Sequence, residues 1–301
     1  MSFDVSQLEA YIKANGKPIA RKAVASAKTA GLLIANRSTL HGVKGDNQVP
    51  TFDVNADLQD GSVVGRNASG GTTFSDKVLK INRFKSQHNY RSDDLYGTYL
   101  SELLAIGQEP MGEQINPTIM DAIMERRAKK IGYEVEKLIW NGDKASATAS
   151  LKLMDGILKQ TATGTIAITV TGADLIAKMQ SAYKQMPVEI SGAEDFVIFI
   201  GEDTYNDYKQ AIWDAGKYHA DSVDTLAGFG AKVVAVSGLN GTSKMFMTSL
   251  SNLVFGVDKD SEMSEATLKW SIETEQWYMD FNFALGVLVV HADQVGVASV
   301  A

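Results

Sequence analysis

The chain has 301 residues, 45% of them hydrophobic and 22% charged, with a formal net charge of −7. That length supplies one large or two ordinary domains with a sizeable core, and the acidic balance argues against a dedicated nucleic-acid-binding domain, which carries a basic excess. The absence of cysteine excludes disulfides, zinc–thiolate sites and thiol catalysis, four scattered histidines leave little for a metal, and no run of about 18 apolar residues offers a membrane span.

The first residues, MSFDVSQLEAY, lack the basic-then-apolar order of a secretion signal, so the chain is expected to stay where it is made. Residues 4–15 and 18–34 read as two helical segments divided by Asn15-Gly16-Lys17-Pro18. The first carries Val5, Leu8, Tyr11 and Ile12 on one side, and the second is rich in alanine and lysine with few large apolar groups, so it lies against other material instead of building a core. Lys13, Lys17, Arg21, Lys22, Lys28 and Arg37 against Asp4 and Glu9 make this arm basic, which fits either a solvated face or one turned toward phosphate.

From Gly42 to Thr73 the sequence is rich in Gly, Asn, Asp and Ser, with short alternating pieces at Val49–Val54 and Ser62–Arg66 that predict a two-stranded hairpin. Its strands hold too few large apolar residues to bury themselves, so the ribbon needs a neighbour to settle on; a mobile surface loop is the alternative. Phe74–Phe84 alternates as a strand would. Tyr90–Ile106 turns helical, with Ser92 as its cap and Leu95, Tyr99, Leu103 and Ile106 on one face.

Asn116 then suits a helix cap, Pro117 the first helical position, and Asp121 the positive end of the helix dipole. Ile115, Ile119, Ile123, Ile131, Val135 and Leu138/Ile139 recur at helical spacing, interrupted by Arg127, and the pattern stops at Trp140-Asn141-Gly142-Asp143. The result is one amphipathic helix on the order of 35 Å long, a strut with no chemistry on it.

Beyond it, Leu153–Leu158 predicts a tight turn and Ile166–Val170 a strand. Residues 172–250 have their own α/β rhythm: a helix over Gly172–Met186, a buried strand at Asp195–Ile200, a helix over Asp203–Trp213 and a second buried strand at Ala231–Val236. Asp214–Leu226 is a polar connection at the far end of this module, and Lys244–Thr248 and Leu253–Val257 lead back out of it. Thr267–Met279 and Phe281–His291 read as two strands joined near Asp280.

Chemistry is scarce. Gly228-Phe229-Gly230 lacks the third glycine of a dinucleotide loop, and Gly238-Leu239-Asn240-Gly241-Thr242-Ser243-Lys244 resembles a phosphate loop in composition alone, with Lys and Ser/Thr in the wrong order. Glu202, Asp203 and Asp207 cluster after the strand at 195–200, where acids either hold a divalent ion or simply favour a helix start. His41, His88, His219 and His291 fit surface or subunit contacts, and Trp140, Trp213, Trp270 and Trp277 fit core or interface anchors. No catalytic residue, cofactor or metal ligand is assigned.

The order of parts resembles a family. A helical arm, the Gly-rich ribbon at 42–73, FSDKVLKINRF, a helix capped near Asp93-Asp94-Leu95 and the long helix ending in EKLIWNGD follow one another. MDGI, DFVIFIGEDTYNDYKQAI, GFGAKVVAV and a closing run from MFMTSLSNLVFGVDKD to WYMDFNFALGVLVVHADQVGVA complete the succession. Together they resemble the major capsid proteins of tailed double-stranded DNA bacteriophages, whose Hong Kong 97-like fold is shared with encapsulin shells.

The resemblance implies an α+β chain with an N-terminal arm at 1–41 and an extended β-hairpin loop at 42–75. It implies a peripheral domain at 76–170 and 251–301 with a spine helix at 116–140, and an α/β axial domain at 171–250. It implies self-assembly into pentamers and hexamers of an icosahedral or prolate shell, located in the virion and built in the bacterial host cytoplasm. The implied partners are a separate scaffolding protein, a portal and decoration proteins, with packaged DNA bound without sequence preference and no membrane. Lys44, Val49, Phe52, Val54, Tyr218 and His219 are the subunit-contact residues this implies, and Arg21, Lys22, Lys28, Arg126, Lys129 and Lys130 the DNA-facing ones. Lys44 is the sole lysine between Gly42 and Ser75, and no crosslink is assigned to it. An encapsulin-type compartment is the alternative within the fold, and an α/β enzyme with an acidic site near Glu202 is the alternative outside it.

Overall fold

A computed structural model describes residues 26–36, 38–43, 45–55, 60, 62, 70–91, 117–216, 224–257, 265–271, 273–274 and 276–300. Helix α1 (Lys28–Ala35) leads through β1 (Thr39–His41) into a ribbon made of β2 (Asn47–Asn55) and β3 (Gly71–Leu79), after which β4 (Asn82–Arg91) returns. The long helix α2 (Pro117–Asn141) follows, then the single turn α3 (Ile157–Gln160), α4 (Leu175–Lys184), α5 (Val188–Ser191), β5 (Phe196–Gly201) and α6 (Glu202–Asp214). The chain closes with β6 (Lys232–Val236), β7 (Lys244–Ser249), β8 (Leu253–Val257), β9 (Glu265–Ser271), β10 (Gln276–Val289) and β11 (Gly296–Ser299).

One sheet runs in the order β1-β8-β10-β4, with β9 also paired to β10, and a second runs β11-β7-β5-β6. Helix α2 serves both. Ile131 and Val135 share a core with Met279, Phe281, Phe283 and Leu285 of β10, while Trp140 at its end packs on Phe199 of β5 and Phe246 of β7, with ring centroids 5.1 Å away in each case. The opposite face of the second sheet, including Ile198 and Ile200, packs with Met179 of α4 and Tyr208 and Ile212 of α6. Burial on both faces explains why β5 is apolar throughout instead of alternating.

The contact between α2 and the second sheet depends on a residue without a side chain. A Cβ on Gly238 would lie 2.6 Å from the Glu136 carbonyl and inside contact distance of the Trp140 ring, so only glycine lets the turn after β6 sit against the helix.

The ribbon springs from the first sheet at two points in one row. His41 pairs with Val257, Val257 with Leu285, and Leu285 with Asn82, so β1 leaves and β4 enters the sheet at the same level, on opposite sides of β8 and β10. Between them, Leu79-Lys80-Ile81 crosses the sheet face over Gly256 and Gly286, which are register partners. Leu79 is fully buried there.

Several boundaries differ from the sequence reading. The ladder partner of Val49–Val54 is Thr72–Lys77 within the strand Gly71–Leu79, and residues 63–66 of the expected strand lie outside the described residues. The stretch Phe74–Phe84 is consequently two strands broken at Lys80-Ile81, and Tyr90 lies within β4 instead of starting a helix. Ile166–Val170 contributes one bridge, Ile166 to Gly296, because Gly296–Ser299 takes the edge of β7 beside it. No turn occurs at Asp280: β10 passes straight through it, paired on both sides to Gln87 and Thr267, and the polar Glu273-Thr274 pair marks the reversal. Leu153–Leu158 holds the start of α3 as well as a turn. The helical segments expected at 4–15 and 92–106 lie outside the described residues.

Candidate assembly surfaces

The ribbon register sorts its side chains into two faces, because paired residues in an antiparallel ladder share a face. Gln48 with Val78, Pro50 with Asp76, Phe52 with Phe74 and Val54 with Thr72 lie on one; Val49 with Lys77 and Thr51 with Ser75 lie on the other. Phe52 and Phe74 are 65% and 79% exposed, and Val54 and Val78 are also exposed, so one face presents an apolar strip with nothing of its own chain to cover it among the described residues. The opposite face is polar, held by the Thr51 hydroxyl donating 2.8 Å to the Ser75 carbonyl. The resemblance implied Val49, Phe52 and Val54 as contact residues; the register sets Phe74 and Val78 on the face of Phe52 and Val54 and puts Val49 on the other. Lys44, Tyr218 and His219 lie outside the described residues.

On α2 the basic residues stand on the exposed side. Arg126, Lys129 and Lys130 are exposed, and Lys28 is exposed on α1. The Lys130 and Lys137 ammonium groups lie 5.6 and 5.5 Å from the Tyr133 ring centre, so cations bracket an aromatic on this face. Arg21 and Lys22 lie outside the described residues. Arg127, which interrupts the apolar stripe, is half-buried: its Nε donates 2.9 Å to the Tyr90 hydroxyl and it stands beside His88 of β4. Partial burial, and then the Arg127 charge, hold His88 below its ordinary value, with Asp280 opposing.

The acids near Glu202 form a helix start. The Asp203 carboxylate accepts from the backbone N–H of Gly241 at 2.6 Å and of Thr204 at 2.7 Å, which keeps it ionised below the usual carboxylate range. The Glu202 N–H donates to Asn240 Oδ1 at 2.7 Å. The Gly238–Lys244 segment is therefore a β6–β7 turn whose Gly241 amide is taken by Asp203, not an open phosphate cradle. Among the described residues no group of three or more His, Cys, Asp or Glu is placed to hold a metal ion, and no helix is long and apolar enough to cross a membrane.

One site escaped the sequence reading. Glu136, on α2, is 1% exposed and turns its carboxylate to α1: the Thr29 N–H donates 3.0 Å to Oε2, the Thr29 hydroxyl bonds Oε1, and the Trp140 indole N–H lies 2.8 Å from the same hydroxyl. The spacing of four between Glu136 and Trp140 was the available signal, since it puts both on one side of a helix.

No protein-family model and no curated protein sequence matches the chain. Solved structures do match it over nearly its whole length. A chain of the satellite phage P4 procapsid, solved with its size determination protein, superposes with a TM-score of 0.59 at 12% identity, over 97% of this chain and 95% of that one. A chain of the cyanophage A-1(L) capsid asymmetric unit gives 0.54 at 15% identity, over 91% and 92%. A chain of the empty GTA particle capsid gives 0.53 at 9% identity, over 86% of each. The chain has the fold of bacteriophage capsid proteins.

Proposed function

We propose that the chain is a major capsid protein of a tailed double-stranded DNA phage, acting by self-assembly and not by catalysis. The observation that carries this reading is the apolar ribbon strip of Phe52, Phe74, Val54 and Val78, left exposed on a fold that matches phage capsid chains from end to end. A monomeric protein rarely holds out such a strip, and a neighbouring copy covers it at low cost in ordering because the ladder is already formed.

In this reading the Hong Kong 97-like parts are an arm at 1–41, the ribbon at 42–75, a peripheral domain on the spine helix, and an axial domain at 171–250 to which the strand at 296–299 adds. The segment 214–226, with Tyr218 and His219, meets its symmetry mates at the centre of each pentamer or hexamer. A separate scaffolding protein, a portal and decoration proteins complete the particle in the host cytoplasm. Arg21, Lys22, Lys28, Arg126, Lys129 and Lys130 face the packaged DNA through phosphate contacts that carry no sequence preference. The experiment is negative-stain electron microscopy of the purified chain, alone and co-expressed with a candidate scaffolding protein. Capsomers or closed shells are the expected result, and a strictly monomeric species under every assembly condition overturns the reading.

A further inference from the structure

Helix α1 has no cap of its own. Ala27 stands at its N-cap position and makes no side-chain bond, so the helix's leading N–H groups must find acceptors elsewhere. The Glu136 carboxylate, 107 residues away in sequence, supplies one: it accepts the Thr29 N–H at 3.0 Å and engages the Thr29 hydroxyl. Thr29 and Trp140, which complete the cluster, are themselves fully buried. Glu136 is the sole fully buried charged residue among those described, and it makes no ion pair with any described residue. Among the described residues, Lys28 of α1 is the one charged group whose field reaches it; the turn at Ser237–Leu239 and the strands bearing Phe199 and Phe246, packed against this end of α2, bring no charge to it.

A buried carboxylate without a cation is costly when ionised and cheap when protonated. The neutral form also suits this geometry, because a carboxyl O–H can donate to the Thr29 hydroxyl while the other oxygen still accepts the Thr29 N–H. We propose that α1 is a strap fastened to the long helix by the Glu136 carboxyl, and that the strap loosens when Glu136 gives up its proton. The strap is the first described helix of the chain, so the protonation state of one residue sets how firmly that segment is tied to the long helix. This holds for the single subunit and does not depend on the capsid reading.

The sign follows from burial. Desolvation, the largest influence, raises the Glu136 carboxyl above its ordinary 4.5, against the hydrogen bonds from Thr29 and Trp140 and the Lys28 charge. The docked state therefore binds the proton more tightly than the released state. Docking is firmest at and below pH 4.5 and weakens as pH rises through the interval up to the raised value.

The test is amide hydrogen exchange on the full-length unassembled subunit, read at residues 31–35 between pH 5 and pH 8 and corrected for the intrinsic rate. The wild type is expected to open more readily with rising pH, by about tenfold for each unit by which burial raises the carboxyl. E136Q, isosteric with the protonated form, is expected to keep α1 protected and to lose the pH dependence. A flat wild-type profile, or an E136Q slope equal to the wild type's, overturns the proposal. Should E136Q fail to fold, the wild type decides alone: the slope must appear in α1 and be absent from α6, and a slope common to both overturns the strap.

Discussion

Gly256 and Gly286 face one another across β8 and β10, and the missing side chains of this pair form the trough in which Leu79-Lys80-Ile81 crosses the sheet. The two positions are not equivalent. A methyl group at Gly256 would meet the tips of Ile81 and Leu79, at 2.6 and 2.7 Å, whereas at Gly286 it would run into the Lys80 backbone carbonyl. Side-chain ends give way and backbone does not. Gly286→Ala is expected to cost about 1–3 kcal/mol of stability and Gly256→Ala less, measured as urea midpoints of the unassembled subunit.

Trp140 joins α2 to both α1 and the second sheet. Trp140→Ala is expected to cost about 3–5 kcal/mol, the range for emptying a large aromatic site. Trp140→Phe keeps most of the packing but removes the donor to Thr29 Oγ1, so it should cost about 1–3 kcal/mol. Thermal or urea unfolding of both variants checks the order.

The ribbon separates assembly from folding. Since Phe52 and Phe74 are exposed in the subunit, the double change to serine should shift its stability by no more than about 0.5 kcal/mol. The same change should abolish capsomer formation by electron microscopy, while Val49→Ser, on the opposite face, should impair it less. Equal loss from both would show that the apolar strip is not the docking face.

Changing Arg126, Lys129 and Lys130 together to glutamine should leave empty shells unchanged and alter the amount of DNA packed per particle. The comparison is made on purified particles by density and by cryo-electron microscopy. Damage to empty and filled shells alike would assign these residues to subunit packing instead.

His88 gives stability a pH dependence opposite to that of Glu136. Its folded value lies below the ordinary 6.5, so the unfolded chain takes up the proton more readily and stability falls as pH drops through the interval beneath 6.5. Above that interval the contribution is fully present. Urea midpoints of wild type and His88→Gln, compared between pH 5 and pH 7.5, should diverge on acidification, with the variant losing less.

Apolar period made much of this fold legible. The buried strands at 196–201 and 232–236, and the helix stop after Trp140, sit where their hydrophobic runs end, because both signals are local. What stayed hidden depends on pairing across the chain. Gly256 and Gly286 look like ordinary strand glycines until β8 and β10 are set side by side, and Phe74 is not placed beside Phe52 until the ladder register pairs them. Asp280 read as a turn because a lone acid in an apolar run usually breaks it; here its side of the strand is half-open and tolerates the charge. The Glu136–Trp140 spacing alone did not reveal a site, because the partner Thr29 lies 107 residues earlier on another helix.

The two roots of the ribbon lie in one row of the first sheet, separated by β8 and β10, which puts them about 14 Å apart at the usual strand spacing. A projection fixed at a single point can swivel in any direction. One rooted at two points, with Leu79 sunk against the sheet between them and the Lys77 ammonium reaching the Val289 carbonyl of β10, does not. The ribbon thus holds out its Phe52–Phe74 face from a braced base, and a neighbouring subunit would have to come to that face.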